Sequence, residues 1–163
     1  MRIIAFSDSH RYAQNVHKLF EATHLTTDLY IFLGDGENDL ENIRYLYPDK
    51  KILCVAGNCD FMSLEPGVNT AEVCGKKILF THGNNHDVDN GISRLKSLAQ
   101  QNGADVVLFG HTHHRECLYE DGVYYINPGS IGSPRDGMPA SYAAIDVIPA
   151  GVLCTHVSID ELG

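Results

Sequence analysis

Five short polar segments, each directly after an apolar run, constrain this chain more than any other feature. They are Asp8-Ser9-His10, Gly34-Asp35, Gly57-Asn58-Cys59-Asp60, Thr81-His82-Gly83 and Gly110-His111-Thr112-His113. Short apolar runs rich in Ile, Val, Leu and Phe are typical of buried strands. Ligands of open α/β sheets bind beyond the carboxyl ends of the strands, so we expect the five segments to meet at one sheet edge.

The periodicity along the chain predicts an α/β fold with two sheets. The apolar runs that predict the first strands are residues 2–6, 29–33, 51–55, 78–81 and 106–109. Helices are predicted between them at residues 13–22, 39–47 and 88–101. Beyond Gly110, turn signals such as Asp121-Gly122 separate further strand candidates at residues 116–119, 123–126, 141–148 and 152–159. These later strands predict a second, more antiparallel sheet, and two packed sheets with helices outside fit the whole pattern.

Length and hydrophobicity predict one domain over residues 1–163. A chain of 163 residues can bury a substantial core, and 44% of its residues are hydrophobic. No apolar run approaches the roughly 20 residues that cross a bilayer, and the run at residues 3–6 is too short for a signal peptide. We expect no membrane association and a cytoplasmic location.

Charge and cysteine content exclude two further classes. The formal net charge is −9, and no cluster of Lys and Arg offers a surface for a phosphate backbone, so duplex nucleic acid is not an expected partner. Five cysteines without a CxxC pair argue against a disulfide framework and favour reduced thiols.

The side chains in the five segments predict a site for two metal ions. Alone, each motif is weak, because an Asp-x-His triplet is usually a solvated turn and a single His is usually structural or exposed. Together they supply carboxylates, imidazoles and one amide, a donor set that suits Mn, Fe, Zn or Ni. Seven candidate ligands are too many for one ion: Asp8, His10, Asp35, Asn58, His82, His111 and His113.

The order and spacing of the segments resemble the calcineurin-like metallophosphoesterase family, whose pattern is D-x-H, G-D, G-N-x-D/E, H and G-H-x-H. The Gly-Asn-Cys-Asp form and Asn127-Pro128-Gly129-Ser130 are most similar to the small bacterial and archaeal phosphodiesterase branch that includes YfcE. The resemblance implies a four-layer αββα fold. It also implies one metal held by Asp8, His10, Asp35 and His113, and a second held by Asp35, Asn58, His82 and His111.

The resemblance further implies a phosphodiesterase acting on a small phosphate ester. Hydroxide that bridges two divalent ions would attack phosphorus. The expected ion is Mn²⁺, with Ni, Fe or Zn as alternatives. Asp35, Asn58 and His111 would lie at the catalytic centre. A phosphomonoesterase is the nearest alternative, but few basic residues flank the motifs. A non-catalytic scaffold similar to the retromer subunit is the other alternative, and the complete ligand set argues against it. Association into a homo-oligomer is an additional expectation.

Four residues are predicted substrate contacts: Cys59, Asp60, Ser130 and Arg135. Many relatives carry His where this chain has Cys59, and that His is thought to protonate the leaving oxygen. General acid catalysis contributes typically 10²- to 10⁴-fold, so we expect activated esters to be the best substrates. A nucleophilic role for Cys59 is not favoured, because no adjacent His and Asp activate the thiol.

Overall fold

The computed structural model describes residues 1–162, which form ten strands and three α-helices. The strands are β1 (Arg2–Phe6), β2 (Leu29–Phe32), β3 (Ile52–Cys54), β4 (Val68–Val73), β5 (Lys76–Thr81), β6 (Val106–Leu108), β7 (Arg115–Glu120), β8 (Val123–Pro128), β9 (Ser141–Ile148) and β10 (Gly151–Ser158). The helices are α1 (Ala13–Thr23), α2 (Glu41–Leu46) and α3 (Ser93–Asn102). None of the helices in residues 1–162 combines the length and apolarity needed to cross a membrane.

The strands divide into two mixed five-stranded sheets. The first has the order β10-β9-β1-β2-β3 and the second has the order β4-β5-β6-β8-β7. Parallel pairing joins β1, β2 and β3 in the first sheet and β5, β6 and β8 in the second. The predicted two-sheet α/β architecture with flanking helices is confirmed.

The predicted distribution of strands between the sheets is wrong. The last two strands close the first sheet, where β9 runs antiparallel to β1 with Ile3 opposite Ile145, while β5 and β6 belong to the second sheet. Periodicity shows that a segment is a strand, but every open strand edge offers the same unpaired backbone groups. The partner edge is therefore chosen by tertiary packing.

Apolar residues on both faces of the central strands build three layers of core. In β1, Ile3 and Ala5 lie in the core between the sheets, whereas Ile4 and Phe6 pack under α1. A third cluster lies on the outer face of the second sheet, where Leu95 and Ala99 of α3 meet that sheet. Burial on both faces explains why the central strands read as continuous apolar runs.

Two helices begin later than the sequence predicts. The predicted helix 39–47 starts as a 3₁₀ turn, Glu37–Leu40, that leads into α2. The predicted helix 88–101 starts as another 3₁₀ turn, Val88–Asn90, and is interrupted by Gly91, which has a φ of 114°. The helix predicted at residues 88–101 is confirmed as α3, but its predicted start is too early, because a 3₁₀ turn spaces its residues much like one turn of α-helix.

Strand β4 has no counterpart among the predicted strands. In its sequence, Val-Asn-Thr-Ala-Glu-Val, three polar residues interrupt the apolar ones, and it forms the edge of the second sheet beside β5. Edge strands face solvent over much of their length and lack the apolar run that marks a buried strand.

We expect Phe20→Ala to cost about 3–5 kcal/mol of unfolding free energy, because truncating a buried aromatic leaves a cavity. Phe20 is fully buried, and its ring stacks on Tyr30 with centroids 4.0 Å apart. Urea unfolding of the metal-stripped protein measures the change. Leu25→Ala is the control, since Leu25 is 86% exposed and should shift stability by no more than about 0.5 kcal/mol. Equal effects of the two substitutions would contradict this assignment of the core.

Candidate metal centre

The five polar segments meet where strands of both sheets end. Asp8, Asp35 and Asn58 follow β1, β2 and β3 of the first sheet. His82 follows β5 and His111 follows β6, which belong to the second sheet. The expectation of a single sheet edge is thus corrected: the site lies across the carboxyl ends of two packed sheets. Packing the sheets face to face brings the ends of β1, β2, β5 and β6 together.

Five of the seven predicted ligands have left-handed backbone conformations. Their φ angles are 57° for Asp8, 42° for His10, 61° for Asp35, 71° for His111 and 61° for His113. Asp and His tolerate this region better than other residues, but it still costs free energy and persists only where surrounding structure enforces it. Such strain concentrates at functional sites.

One group of donor atoms contains Asp8, His10, His113 and Asp35. His113 Nε2 lies 3.2 Å from Asp8 Oδ1 and 3.2 Å from His10 Nε2. His10 Nε2 lies 3.7 Å from Asp35 Oδ2. Ligand atoms about 2.1 Å from a common ion lie about 3–3.5 Å apart, so this spacing suits a single cation.

A second group is built on the other side of Asp35. Asp35 Oδ2 lies 3.5 Å from His82 Nε2, which is 3.3 Å from His111 Nδ1. Asn58 is exposed on the adjoining loop, and the next residue, Cys59, donates its backbone N–H to Asp35 Oδ1 at 2.7 Å. Asp35 Oδ2 therefore belongs to both groups of donor atoms.

One carboxylate oxygen of Asp8 lacks a hydrogen-bond partner in the described part of the chain, and it shows whether the residues of the site fit a metal. Asp8 is fully buried, and its Oδ2 accepts the backbone N–H of His111 at 3.1 Å. Its Oδ1 has no hydrogen-bond partner among residues 1–162 and lies within 4 Å of ring nitrogens of His10, His82 and His113. A buried carboxylate oxygen without a partner is costly, and a cation is its usual compensation. The donor set therefore fits a divalent metal.

Hydrogen bonds outside the donor groups fix the orientation of three imidazole rings. His82 Nδ1 donates to the Leu33 carbonyl at 2.6 Å, and His113 Nδ1 donates to the Ser133 carbonyl. His111 Nε2 lies 3.0 Å from a carboxylate oxygen of Asp89, to which it donates. Each ring then presents the lone pair of its other nitrogen to the site, as a metal-binding His requires.

The electrostatics of the site favour positive charge. Burial alone would raise the pKa of Asp35, but its contacts with His82 and Cys59 outweigh burial and hold that pKa far below the usual range. Burial opposes a charged His82, but Asp35 and Asp8 outweigh it and raise the pKa of that ring. A metal cation would take the place of the proton that these carboxylates attract.

Two glycines allow the loops after β2 and β3 to touch through their backbones. A Cβ on Gly34 would lie 2.5 Å from the Gly57 nitrogen, and a Cβ on Gly57 would overlap Asp35. Gly34 also has a φ of 96°, which favours glycine. This close approach sets Asp35 and Asn58 side by side.

A family comparison agrees with the residues of the site. The family model described as the calcineurin-like phosphoesterase superfamily domain matches residues 1–148. The chain belongs to this superfamily. The expected family is thereby confirmed, and with it a hydrolase class whose members bind divalent metals.

Individual relatives and solved structures support the assignment. The chain is 31% identical over 145 residues to the probable metallophosphoesterase YsnB of Bacillus subtilis, covering 89% of this chain and 83% of YsnB. It is 30% identical over 105 residues to phosphodiesterase YfcE of Escherichia coli, covering 59% of this chain and 53% of YfcE. A predicted phosphoesterase from Streptococcus pneumoniae superposes with a TM-score of 0.86 at 29% identity, covering 98% of this chain and 90% of that protein.

The same fold also occurs in Vps29. The zinc complex of Vps29 from Entamoeba histolytica superposes with a TM-score of 0.72 at 20% identity, covering 98% of this chain and 99% of Vps29. At this identity the likeness concerns the fold.

In this metallophosphoesterase, Asp60 acts on the backbone of the ligand loops. Its Oδ2 accepts the N–H groups of Asp35 at 2.7 Å and Gly57 at 2.9 Å. Its Oδ1 accepts those of Gly36 at 2.8 Å and Glu37 at 2.9 Å. Because four donors occupy both oxygens, the geometry gives Asp60 a positioning role. Its predicted substrate contact stays a prediction.

Ser130 likewise positions loops. It is fully buried, donates to the Asp8 carbonyl at 2.8 Å and accepts the Ser133 N–H at 2.7 Å. Near the end of β8, Asn127 donates to the Gly110 carbonyl at 3.1 Å. The end of β8 and the residues after it therefore lie against the segments that carry Asp8 and His111, and full burial gives Ser130 a positioning role. Its predicted substrate contact stays a prediction.

The structure describes the surroundings of the Cys59 thiol, whereas for Arg135 it gives a backbone contact. Burial, together with the carboxylates of Asp35, Asp60 and Asp8, raises the pKa of the Cys59 thiol to about 11. The thiol is protonated at neutral pH, which disfavours a nucleophilic role. Arg135 donates its backbone N–H to the His113 carbonyl at 3.2 Å, and the phosphate contact of its side chain stays a prediction.

Two carboxylates at the site were not found by sequence reasoning. Asp89 contacts His111, and Asp39 Oδ2 accepts from Ser9 Oγ at 2.6 Å and from the Arg11 N–H at 3.0 Å. Asp39 was assigned to a helix, and Asp89 lies in a stretch that was also predicted as helix. No motif in the sequence marks either residue as part of the site, because each reaches a ligand segment only when its loop folds against that segment.

We expect Asp60→Asn to weaken both folding and metal binding. An amide replaces one acceptor oxygen with a donor, so two of the four backbone N–H groups lose their partner, at a cost of about 2–4 kcal/mol. Urea unfolding and calorimetric Mn²⁺ titration measure the two effects. Asp49→Asn, an exposed change in the turn before β3, is the matched control. Unaltered stability and metal affinity in Asp60→Asn would refute the positioning role.

Proposed function

We propose that this chain is a metal-dependent phosphodiesterase that hydrolyses a small phosphate diester. The observation that carries the proposal is the buried, unpaired Oδ1 of Asp8, which faces His10, His82 and His113. Membership of the calcineurin-like phosphoesterase superfamily and similarity to phosphodiesterase YfcE support the reaction class.

Two divalent ions are the proposed cofactors. Asp8, His10, Asp35 and His113 would hold the first, and Asp35, Asn58, His82 and His111 would hold the second. Mixed carboxylate, amide and imidazole donors suit Mn²⁺, with Ni, Fe and Zn as the alternatives. Asp35 is the proposed shared ligand because its Oδ2 lies near ring nitrogens of both His10 and His82.

The chain's own residues prepare the site for hydrolysis. When bound, two divalent ions supply the hydroxide that attacks phosphorus and offset the charge that develops on the phosphoryl oxygens. His82 and His111 are held by Leu33 and Asp89 in the tautomers that leave a lone pair for a metal. Asn58 contributes a neutral oxygen, which limits the negative charge of the ligand set.

Charges around the site favour a diester over a monoester. The carboxylates of Asp39 and Asp89 flank the ligands, and Arg11 is the basic side chain that lines the adjoining cavity. A monoester dianion brings one more negative charge than a diester into this acidic surrounding, and like charges close together are destabilising. Cys59 stands where the family resemblance implies a His that protonates the leaving oxygen, so leaving groups that depart without protonation are favoured.

Hydrolysis of two chromogenic esters tests the proposal. We expect the metal-stripped protein to be inactive and Mn²⁺ to restore cleavage of bis-p-nitrophenyl phosphate more strongly than cleavage of p-nitrophenyl phosphate. His111→Ala should lower the diester rate by about 100-fold or more, since it removes a proposed ligand.

His114→Ala is the matched control for that experiment, because His114 is exposed three residues further on and is not a proposed ligand. It should retain the rate of the unaltered protein. Absence of turnover with either ester at every Mn²⁺ and Ni²⁺ concentration would defeat the proposed enzyme and favour the non-catalytic scaffold.

We expect Asp89→Ala to weaken binding of one of the two ions by about 10- to 100-fold, the usual effect of losing a carboxylate that orients a ligating His. Asp89→Asn should have a smaller effect, because the amide oxygen still accepts a hydrogen bond. Calorimetric titration of the metal-stripped proteins with Mn²⁺ resolves the weakened site. Asp49→Ala serves as the control, and identical titrations for Asp89→Ala and Asp49→Ala would show that Asp89 does not orient His111.

A further inference from the structure

A cavity of about 330 Å³ adjoins the metal centre and has an exposed aromatic ring in its wall. His10 and Asp35 lie at its metal side, and Arg11, Asn38, Cys59 and Phe61 line the remainder. This volume is at the lower end of the range for small-molecule sites. The cavity therefore has room for one substituent of an ester whose phosphorus lies at the metals.

Phe61 is the unusual member of this wall. It is 88% exposed, although burial of a Phe side chain normally contributes about 1.5–3 kcal/mol to folding. A neighbouring cavity of about 300 Å³ also borders Phe61 but is lined by Met62, Ser63 and Leu64 and contains none of the predicted metal ligands. Phe61 thus connects an exposed apolar loop to the site of the proposed chemistry.

The backbone on both sides of Phe61 is anchored. Asp60 accepts four backbone N–H groups of the ligand loops, and its own N–H donates to the Gly57 carbonyl at 3.3 Å. Ser63 donates its N–H back to the Asp60 carbonyl at 3.3 Å. An anchored backbone limits the conformational entropy that this loop loses when a ligand packs on the ring.

The charges of the cavity select a neutral partner for that ring. Asp39 and Asp60 also line the cavity. With Asp35 they outnumber the arginine that lines it, Arg11, so a second anionic group on the substrate would be repelled. A planar aromatic group avoids this repulsion and stacks on a Phe face. The amide of Asn38 can add a hydrogen bond to a heteroatom of such a group.

We propose that Phe61 is a specificity-determining residue, on which a nucleobase or other planar aromatic substituent of the phosphate ester stacks while the phosphoryl group lies at the metal centre. The inference rests on the proposed function, since it assigns the substituent of the same substrate. It names the substrate class as aromatic phosphodiesters, nucleoside esters among them.

Binding of three monoesters to the Mn²⁺-loaded protein tests the inference by affinity, a readout separate from the diester hydrolysis above. The probes are thymidine 5′-monophosphate, phenyl phosphate and methyl phosphate, which share the phosphoryl group and differ in the substituent it carries: a deoxyribose with a nucleobase, a phenyl ring or a methyl group. We expect the thymidine ester to bind more tightly than methyl phosphate. Phe61→Ala should remove roughly 5- to 100-fold of that preference, the range for aromatic stacking on a base. Phenyl phosphate shows whether any ring is accepted or a nucleobase is preferred. If Phe61→Ala loses the preference for either ring-bearing ester over methyl phosphate, that loss supports stacking on Phe61.

Three further variants separate stacking from other effects. Phe61→Leu keeps an apolar side chain without a ring and should behave like Phe61→Ala, whereas Phe61→Trp should retain the preference. Leu64→Ala, a change at a fully exposed residue of the same loop outside this cavity, should leave it intact. Equal dissociation constants for the thymidine and methyl esters, or a preference that Phe61→Ala does not reduce, would overturn the inference.

The absence of tryptophan from this chain supplies an independent optical readout. Phe61→Trp introduces a single tryptophan, whose emission can be excited apart from that of the eight tyrosines, and stacking of thymidine 5′-monophosphate should quench it. Tyr119→Trp, an exposed position on β7, should not respond. Quenching at Phe61→Trp without diester hydrolysis would support stacking at residue 61 and refute the proposed reaction. Hydrolysis without quenching or ring preference would refute stacking on Phe61 and leave the proposed reaction in place.

Discussion

The burial of two carboxylates side by side is the constraint on which the site depends. Asp8 is fully buried and Asp35 is 3% exposed, and both face the ring nitrogens of His82. Buried anions are costly unless they are paired, and imidazole rings offset only part of that charge when neutral. Backbone N–H groups compensate one oxygen of each carboxylate, at His111 for Asp8 and at Cys59 for Asp35. The remaining oxygens form the site at which a cation lowers the free energy of the folded chain.

Holding this arrangement requires contacts between segments that are far apart in sequence. Asp60 fixes the loops after β2 and β3, and Ser130 ties the turn after β8 to the carbonyl of Asp8. These hydrogen bonds support ligands whose left-handed backbones cost of order 1–3 kcal/mol each. The strain persists because two packed sheets and several loops determine the same geometry.

Sequence predicted the central strands, the two-sheet class and the set of residues that meet, since each depends on local signals. Buried apolar runs such as residues 2–6 and 106–109 can be recognised as strands without knowing which strands pair with them. His111 and His113 are marked by the glycine and the strand before them. The distribution of β5 and β9 between the sheets could not be predicted, because strand edges do not identify their partners. The roles of Asp60, Ser130 and Asp89 depend on loops that approach through space, and only the folded chain shows which carboxylate is occupied by backbone donors.

The surroundings of the site imply that positive charge is supplied mainly from outside the chain. Asp39, Asp60 and Asp89 contact the ligand loops or the ligands, whereas Arg11 is the basic residue that lines the cavity beside them. In this field a phosphate group gains attraction only where cations offset the carboxylates, so affinity for the substrate is coupled to metal occupancy. The same field weakens with distance from the ions, and neutral parts of a substrate then depend on packing and stacking for their affinity. An acidic cleft with an exposed aromatic wall therefore discriminates among esters by their uncharged substituents, while the phosphoryl group is recognised through the metals.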